Sequence, residues 1–161
     1  MSEIVSPLKE WYDMFLNTKV RSRLGESLFN RILKTVNKYS NQLEILDEDI
    51  RLVHGDFQGT NILISNNEPY ILDWEFAMAG HPIADIGQFF RYDKYYNEDL
   101  IRAFEMEYRK YSDYILGDDW YKISKLRDIV NLIQLMDTEE NMPYKFKDII
   151  NILNKTLLML E

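Results

Sequence analysis

The sequence contains no cysteine. That removes disulfide scaffolds and thiolate chemistry, and it suits a reducing cytoplasm. Histidine is nearly as scarce. His54 and His81 are the only two, too few for a zinc site built on His or Cys. Long apolar runs are also missing; nothing approaches the roughly 20 residues of a membrane span. The first twenty residues carry Glu3, Lys9, Glu10 and Asp13, unlike a secretory signal. Basic charge is in deficit, with 19 Lys and Arg against 27 Asp and Glu and a net charge of −8. Phosphate backbones need a basic face, so no nucleic-acid partner is expected, and no membrane partner either. Acidic clusters at 47–49, 118–119 and 139–140 suit a cationic small molecule, although surface acidity also serves solubility.

What is present fits one globular domain over residues 1–161. Hydrophobic residues make up 46% of the chain, enough for a substantial core. No repeat and no linker rich in Pro, Gly or Ser interrupts it. Apolar periodicity predicts helices over 8–17, 22–39, from Pro82 to Phe90, from Asn97 to Tyr111, 117–137 and from Pro143 to the end. Asn97 has the chemistry of an N-cap. In the helix that follows it, Leu100, Ile101, Phe104, Tyr108 and Tyr111 are expected to face inward. The middle of the chain differs. Residues 51–53, 61–65 and 70–73 are short and rich in Ile, Leu and Val, and 66–69 (Asn-Asn-Glu-Pro) reads as a turn. The expected class is therefore α+β, mainly α, with a small embedded β-hairpin.

That hairpin concentrates chemistry. Centred near Asn67, it sets Asn61 opposite Asp73, with Leu63 and Ile71 together on one face. The loop after the first strand, LVHGDFQGTN, brings Asp56 close to the same end. Hard oxygen donors of this kind, one or two per ion, suit Mg²⁺ that keeps waters and borrows phosphate oxygens. The plainer alternative is that Asp and Asn near turns cap or bend the backbone.

The joint spacing carries a resemblance. His54-Gly55-Asp56, then Asn61, then Asp73-Trp74-Glu75 repeats the H-x-D-x-x-x-x-N loop and metal-binding aspartate of the kinase fold. HGDFQGTNILI followed by YILDWEFAMAGHPIADIG closely resembles the aminoglycoside phosphotransferase and choline kinase family, strongly over 52–90 and more weakly in the flanking helices. The resemblance implies a protein-kinase-like C-terminal lobe, with the catalytic loop and metal hairpin at 52–75. It implies an ATP- and Mg²⁺-dependent transfer of phosphate to a hydroxyl of an aminoglycoside-like or other amino-bearing small molecule, as in antibiotic resistance.

Residue by residue, the resemblance makes Asp56 the catalytic base and Asn61 and Asp73 the Mg²⁺ ligands. His54 would brace the loop, and Asp85 would accept hydrogen bonds from its backbone. Glu75 would add charge near the metal or serve structure. Leu63 and Leu72 match positions flooring the adenine pocket, with ordinary core packing as the alternative. The sequence departs from protein kinases at Gly55, where they carry arginine, and at Trp74-Glu75, where they carry Phe-Gly. Control by loop phosphorylation is therefore not expected.

The resemblance also leaves a gap. Only 51 residues precede Leu52, with one glycine, Gly25, inside a predicted helix. No Gly-rich loop or strand-borne lysine is recognisable there, so the N-terminal ATP lobe is expected to be absent. Activity of such a lobe alone is expected to be impaired. The bared surface would be covered by a second copy of the chain or another partner. The competing reading is a non-catalytic ligand-binding or interaction module derived from the same lobe. The tyrosines and tryptophans could cage a choline-like head, but their helical spacing favours core packing.

Overall fold

The structure is a computed structural model that describes residues 7–161. Residues 1–6, which the sequence reading includes in the domain, lie outside it. The chain is mainly helical with two small antiparallel sheets. Helices α1 (Leu8–Phe15), α2 (Thr18–Leu24), α3 (Glu26–Lys38) and α4 (Ser40–Ile45) come first. Strands β1 (Arg51–Val53), β2 (Ile62–Ser65), β3 (Glu68–Ile71) and β4 (Met78–Gly80) follow, and then α5 (Ile83–Phe89), α6 (Glu98–Tyr111), α7 (Trp120–Met136) and α8 (Pro143–Leu160). No described helix is long and apolar enough to cross a membrane.

Helix α7 is the axis of the core. It is buried on every side from Ser124 to Ile133, polar residues included. Leu126, Ile129, Val130, Ile133 and Met136 are sealed from solvent, and α1, α2, α5 and α8 pack around it. The approach of α5 needs Gly87: a Cβ there would lie 2.4 Å from the Ser124 carbonyl oxygen of α7. Polar groups buried on α7 are paired. Arg91 donates through Nε and Nη2 to the two Asp128 oxygens at 2.8 and 2.7 Å, and Asn131 donates to Asp128 at 3.2 Å. Asp47 receives the Leu8 N–H at the start of α1, fastening α1 to the approach to β1.

Several expectations change. The helix expected over 22–39 is broken at Gly25, whose φ of 79° and ψ of 154° no residue with a Cβ adopts comfortably. Apolar periodicity passes over the break because Leu24 and Leu28 both face the core. The helix expected over 8–17 ends at Phe15, and Asn17 instead caps α2 by accepting the Val20 N–H. Asn97 does cap α6, accepting from Leu100 N. Leu100 and Tyr111, however, are exposed, leaving Ile101, Phe104 and Tyr108 as the inward stripe. The aromatics form a packed cluster. Phe90 sits 5.0 Å from Phe104, 4.9 Å from Tyr96 and 5.7 Å from Trp120 between ring centroids.

The hairpin register also differs by one. Ile62 pairs with Ile71, Leu63 with Tyr70 and Ser65 with Glu68. The turn is therefore the two residues Asn66 and Asn67, at φ 52° and 63°, the positive pair of a type I′ turn. Glu68 and Pro69 belong to β3, not to the turn. Asn61 thus faces Leu72, whose N–H donates to the Asn61 carbonyl at 2.9 Å, and not Asp73. Leu63 shares its face with Tyr70, not with Ile71. A second sheet, β1 against β4, was not expected; it returns the chain past the loop that carries Asp56.

Candidate active site

The loop from His54 to Asn61 leaves β1 and meets α5. Its backbone polar groups are held by side chains. Asp85 accepts the His54 N–H at 2.7 Å and the Gly55 N–H at 3.0 Å. One turn further along α5, Gln88 accepts the Phe57 N–H and donates to the Gly55 carbonyl, both at 2.8 Å. Burial pushes the Asp85 carboxyl up from its ordinary value, opposed by those two N–H donors and by the Arg127 charge.

His54 is buried. Its Nδ1 accepts the Asp56 N–H at 3.3 Å, so the ring proton sits on Nε2 and is donated to the Leu72 carbonyl at 2.8 Å. One side chain thus ties the loop to the strand end before Asp73. Trp74 lies beside it, tilted by 50°, at 4.7 Å between centroids. Gly55 has φ 80°, and a Cβ there would lie 2.2 Å from the Phe76 carbonyl oxygen. The departure from an arginine at this position therefore has a steric cause: no side chain fits.

Asp56 and Asn61 are brought together. The Asn61 amide nitrogen donates to the Asp56 carbonyl at 2.8 Å and to its carboxylate Oδ2 at 3.0 Å. Gln58 Nε2 takes the other carboxylate oxygen at 2.5 Å. With its nitrogen turned to Asp56, Asn61 has Oδ1 left to meet a cation.

Asp73 is reached from the opposite strand. It is not the last residue of a strand: at φ 64° and ψ 59° it adopts the left-handed conformation, and its exposed side chain caps no backbone N–H. A non-glycine residue held there is uncommon, and Asp is among the few types that tolerate it. Asp73 follows Leu72, the residue opposite Asn61, so the two lie at the same end of the hairpin. Glu75 follows on the same short turn (Trp74–Phe76) and is exposed.

The donor set fits Mg²⁺. Among the described residues no group of three or more His, Asp or Glu side chains gathers to enclose an ion. An amide oxygen and one carboxylate, leaving room for waters and phosphate oxygens, match how Mg²⁺ is usually bound. Leu63 and Leu72 are 50% and 46% exposed, so ordinary core packing does not account for them. Leu52, Ile71, Trp74 and Phe76 are exposed as well, and Leu52, Ile71 and Trp74 line one open cavity. That cavity, of about 330 Å³, lies beneath the loop and is also walled by His54, Phe57, Asp85 and Phe89.

Gln58 and Gln88 are site residues that the sequence reading did not pick out. The available signal for Gln88 was its i, i+3 spacing from Asp85, which puts both on one face of α5.

Against known families, residues 5–123 match the phosphotransferase enzyme family. The chain belongs to that family. The match spans the loop, the hairpin, α5 and α6. A curated relative, acyl-CoA dehydrogenase family member 11 of Gallus gallus, is 33% identical over 85 residues. That stretch is 51% of this chain and 10% of the relative, so the chain spans about a tenth of that protein. No solved structure gives a significant match.

Proposed function

We propose that this family member is a protein-kinase-like C-terminal lobe, spanning the whole chain, that serves ATP- and Mg²⁺-dependent phosphoryl transfer. The acceptor is a hydroxyl of an amino-bearing small molecule, aminoglycoside-like in charge, and the setting is the cytoplasm. The observation that carries the reading is the joining of Asp56 to Asn61 at 3.0 Å, with Asp73 turned out at the strand end that His54 ties to the same loop.

In this reading Asp56 orients the acceptor hydroxyl and takes its proton. Gln58 and Asn61 each donate to one Asp56 carboxylate oxygen and so hold its orientation. Asn61 Oδ1 and the Asp73 carboxylate hold Mg²⁺, which when bound neutralises charge on the phosphates. Leu63 and Leu72 offer an apolar floor to the adenine ring, and Glu75 adds negative charge beside the metal ligands. The acidic clusters draw in a cationic acceptor.

The exposed apolar surface around the hairpin favours a second reading, in which the lobe is an interaction module without turnover. Large exposed apolar patches mark association surfaces. A homodimer or a partner covering this face serves both readings. The same exposure, with no Gly-rich cover over the phosphates among the described residues, leads us to expect low activity from the chain alone. Calorimetric titration of ATP with Mg²⁺ separates the readings. Mg²⁺-dependent binding that is lost in Asp73→Ala supports the kinase site. Binding that ignores Mg²⁺ and Asp73, or no binding, refutes it.

A further inference from the structure

Asp56 is only partly buried, and Gly55, at φ 80°, brings backbone freedom immediately before it. The close approach of the Phe76 carbonyl demands that glycine, so the loop cannot be stiffened by a larger residue. Something else must fix the peptide units on either side of Asp56.

We propose that Gln88 is the positioning residue for Asp56. Its carboxamide accepts the Phe57 N–H and donates to the Gly55 carbonyl, so one planar group pins the chain before and after residue 56. Asp85 holds the two N–H groups upstream but reaches neither of these. The task needs a donor and an acceptor on one side chain at α-helical reach. Glutamine supplies both; glutamate supplies only acceptors when ionised, and would set an oxygen against the Gly55 carbonyl. Gln88 is only 6% exposed, so each of these bonds is shielded from water and costly to lose. Rotation of the peptide units that Gln88 holds swings the Asp56 Cα–Cβ bond, so the clamp sets where the carboxylate points.

The proposal rests on the kinase reading for its purpose, but its geometry can be tested without nucleotide. The three-bond couplings from N and C′ to Cγ of Asp56, measured by NMR on the labelled chain, report its χ1 directly. The wild type is expected to show one rotamer. Gln88→Met, which keeps the volume and loses both bonds, is expected to show averaged couplings. Its Phe57 amide should exchange about tenfold faster or more, with the amides of α7 unchanged. Gln88→Glu, which keeps the Phe57 bond, should fall between them and serves if Gln88→Met does not fold. An unchanged Asp56 rotamer in either folded variant overturns the proposal, as does loss of protection that spreads equally through α7. Magnesium–ATP titration of the same samples reports separately on the kinase reading. Failure to bind in the wild type would sink that reading while leaving the couplings to judge the clamp.

Discussion

Three glycines make a graded test of where the backbone requires a residue without a side chain. Gly59 has ordinary backbone angles, and a Cβ there would meet nothing within 4 Å. Gly59→Ala should be neutral or stabilising by up to about 1 kcal/mol, through a less flexible unfolded chain. Gly25 also has open space, but its φ of 79° with ψ 154° is nearly closed to other residues. Gly25→Ala should cost about 1–3 kcal/mol from backbone strain alone. Gly55 combines a φ of 80° with a Cβ position 2.2 Å from the Phe76 carbonyl oxygen and 3.0 Å from its carbon. A backbone carbonyl would have to retreat by about 1 Å, and forced overpacking of this kind typically adds about 1–3 kcal/mol to the strain. Gly55→Ala should therefore lose about 2–6 kcal/mol, a large share of the total stability of a domain this size. Urea denaturation with a shared m-value measures all three. The reasoning is refuted if Gly55→Ala is no more destabilised than Gly25→Ala. A linked outcome follows from place: Phe76 closes the turn that begins after Asp73, so the retreat should also disturb Asp73 and weaken Mg²⁺-dependent nucleotide binding.

Other expectations concern burial and association. Burial, aided by the charges of Arg127 and Arg51 and opposed by Asp49, pulls the His81 imidazole from 6.5 down to about 4. Its Nδ1 accepts the Ile83 N–H at 3.2 Å, which only the neutral ring can do. Above pH 6.5 His81 is neutral folded or unfolded and costs nothing. Between pH 6.5 and about 4 the unfolded chain takes the proton first, so stability falls with pH, by up to about 3 kcal/mol in all. His81→Gln should flatten that acid limb in denaturation at a series of pH values. Asp85 works in the opposite sense, since its raised carboxyl favours the folded state as pH falls, but it is common to both proteins and cancels. Arg91→Met should cost about 3–5 kcal/mol by stranding the buried Asp128 carboxylate, whereas the double change with Asp128→Leu should recover most of it. In sedimentation at high concentration, the exposed hairpin face should drive self-association that Trp74→Glu abolishes; a monomer throughout would count against a homodimer.

Much of the fold was legible because its signals are local. Apolar spacing located α7 and α8, Asn97 marked the start of α6, and the run Arg51–Val53 stands in the structure as β1. Harder to see was whatever depends on a partner far along the chain. β4 is three residues with no alternation, and only its pairing with β1 makes it a strand. The hairpin register slipped because two successive asparagines both take positive φ, which shortens the turn from four residues to two. At the site, the contact between Asp56 and Asn61 follows from five residues of loop and was readable. The turn of Asp73 into the left-handed region was not, since nothing in YILDWE announces it. Gln88 looks like any surface amide until the loop's backbone groups are counted and found to need it, and Gln58 looks like one until the Asp56 carboxylate is found beside it. Leu63 and Leu72 carry the opposite lesson: apolar character suggests a core, yet both lie open on the hairpin.

The proposed site requires Asn61 and Asp73 to hold metal beside Asp56. Paramagnetic broadening by Mn²⁺ in the presence of ATP, read on the backbone amides of the ¹⁵N-labelled chain, tests this directly. The predicted result is early loss of the Asn61, Leu72 and Asp73 signals at low Mn²⁺, reversed by Mg²⁺ and absent in Asp73→Ala. Broadening confined to the acidic clusters at 118–119 and 139–140, or unaffected by Asp73→Ala, would contradict it.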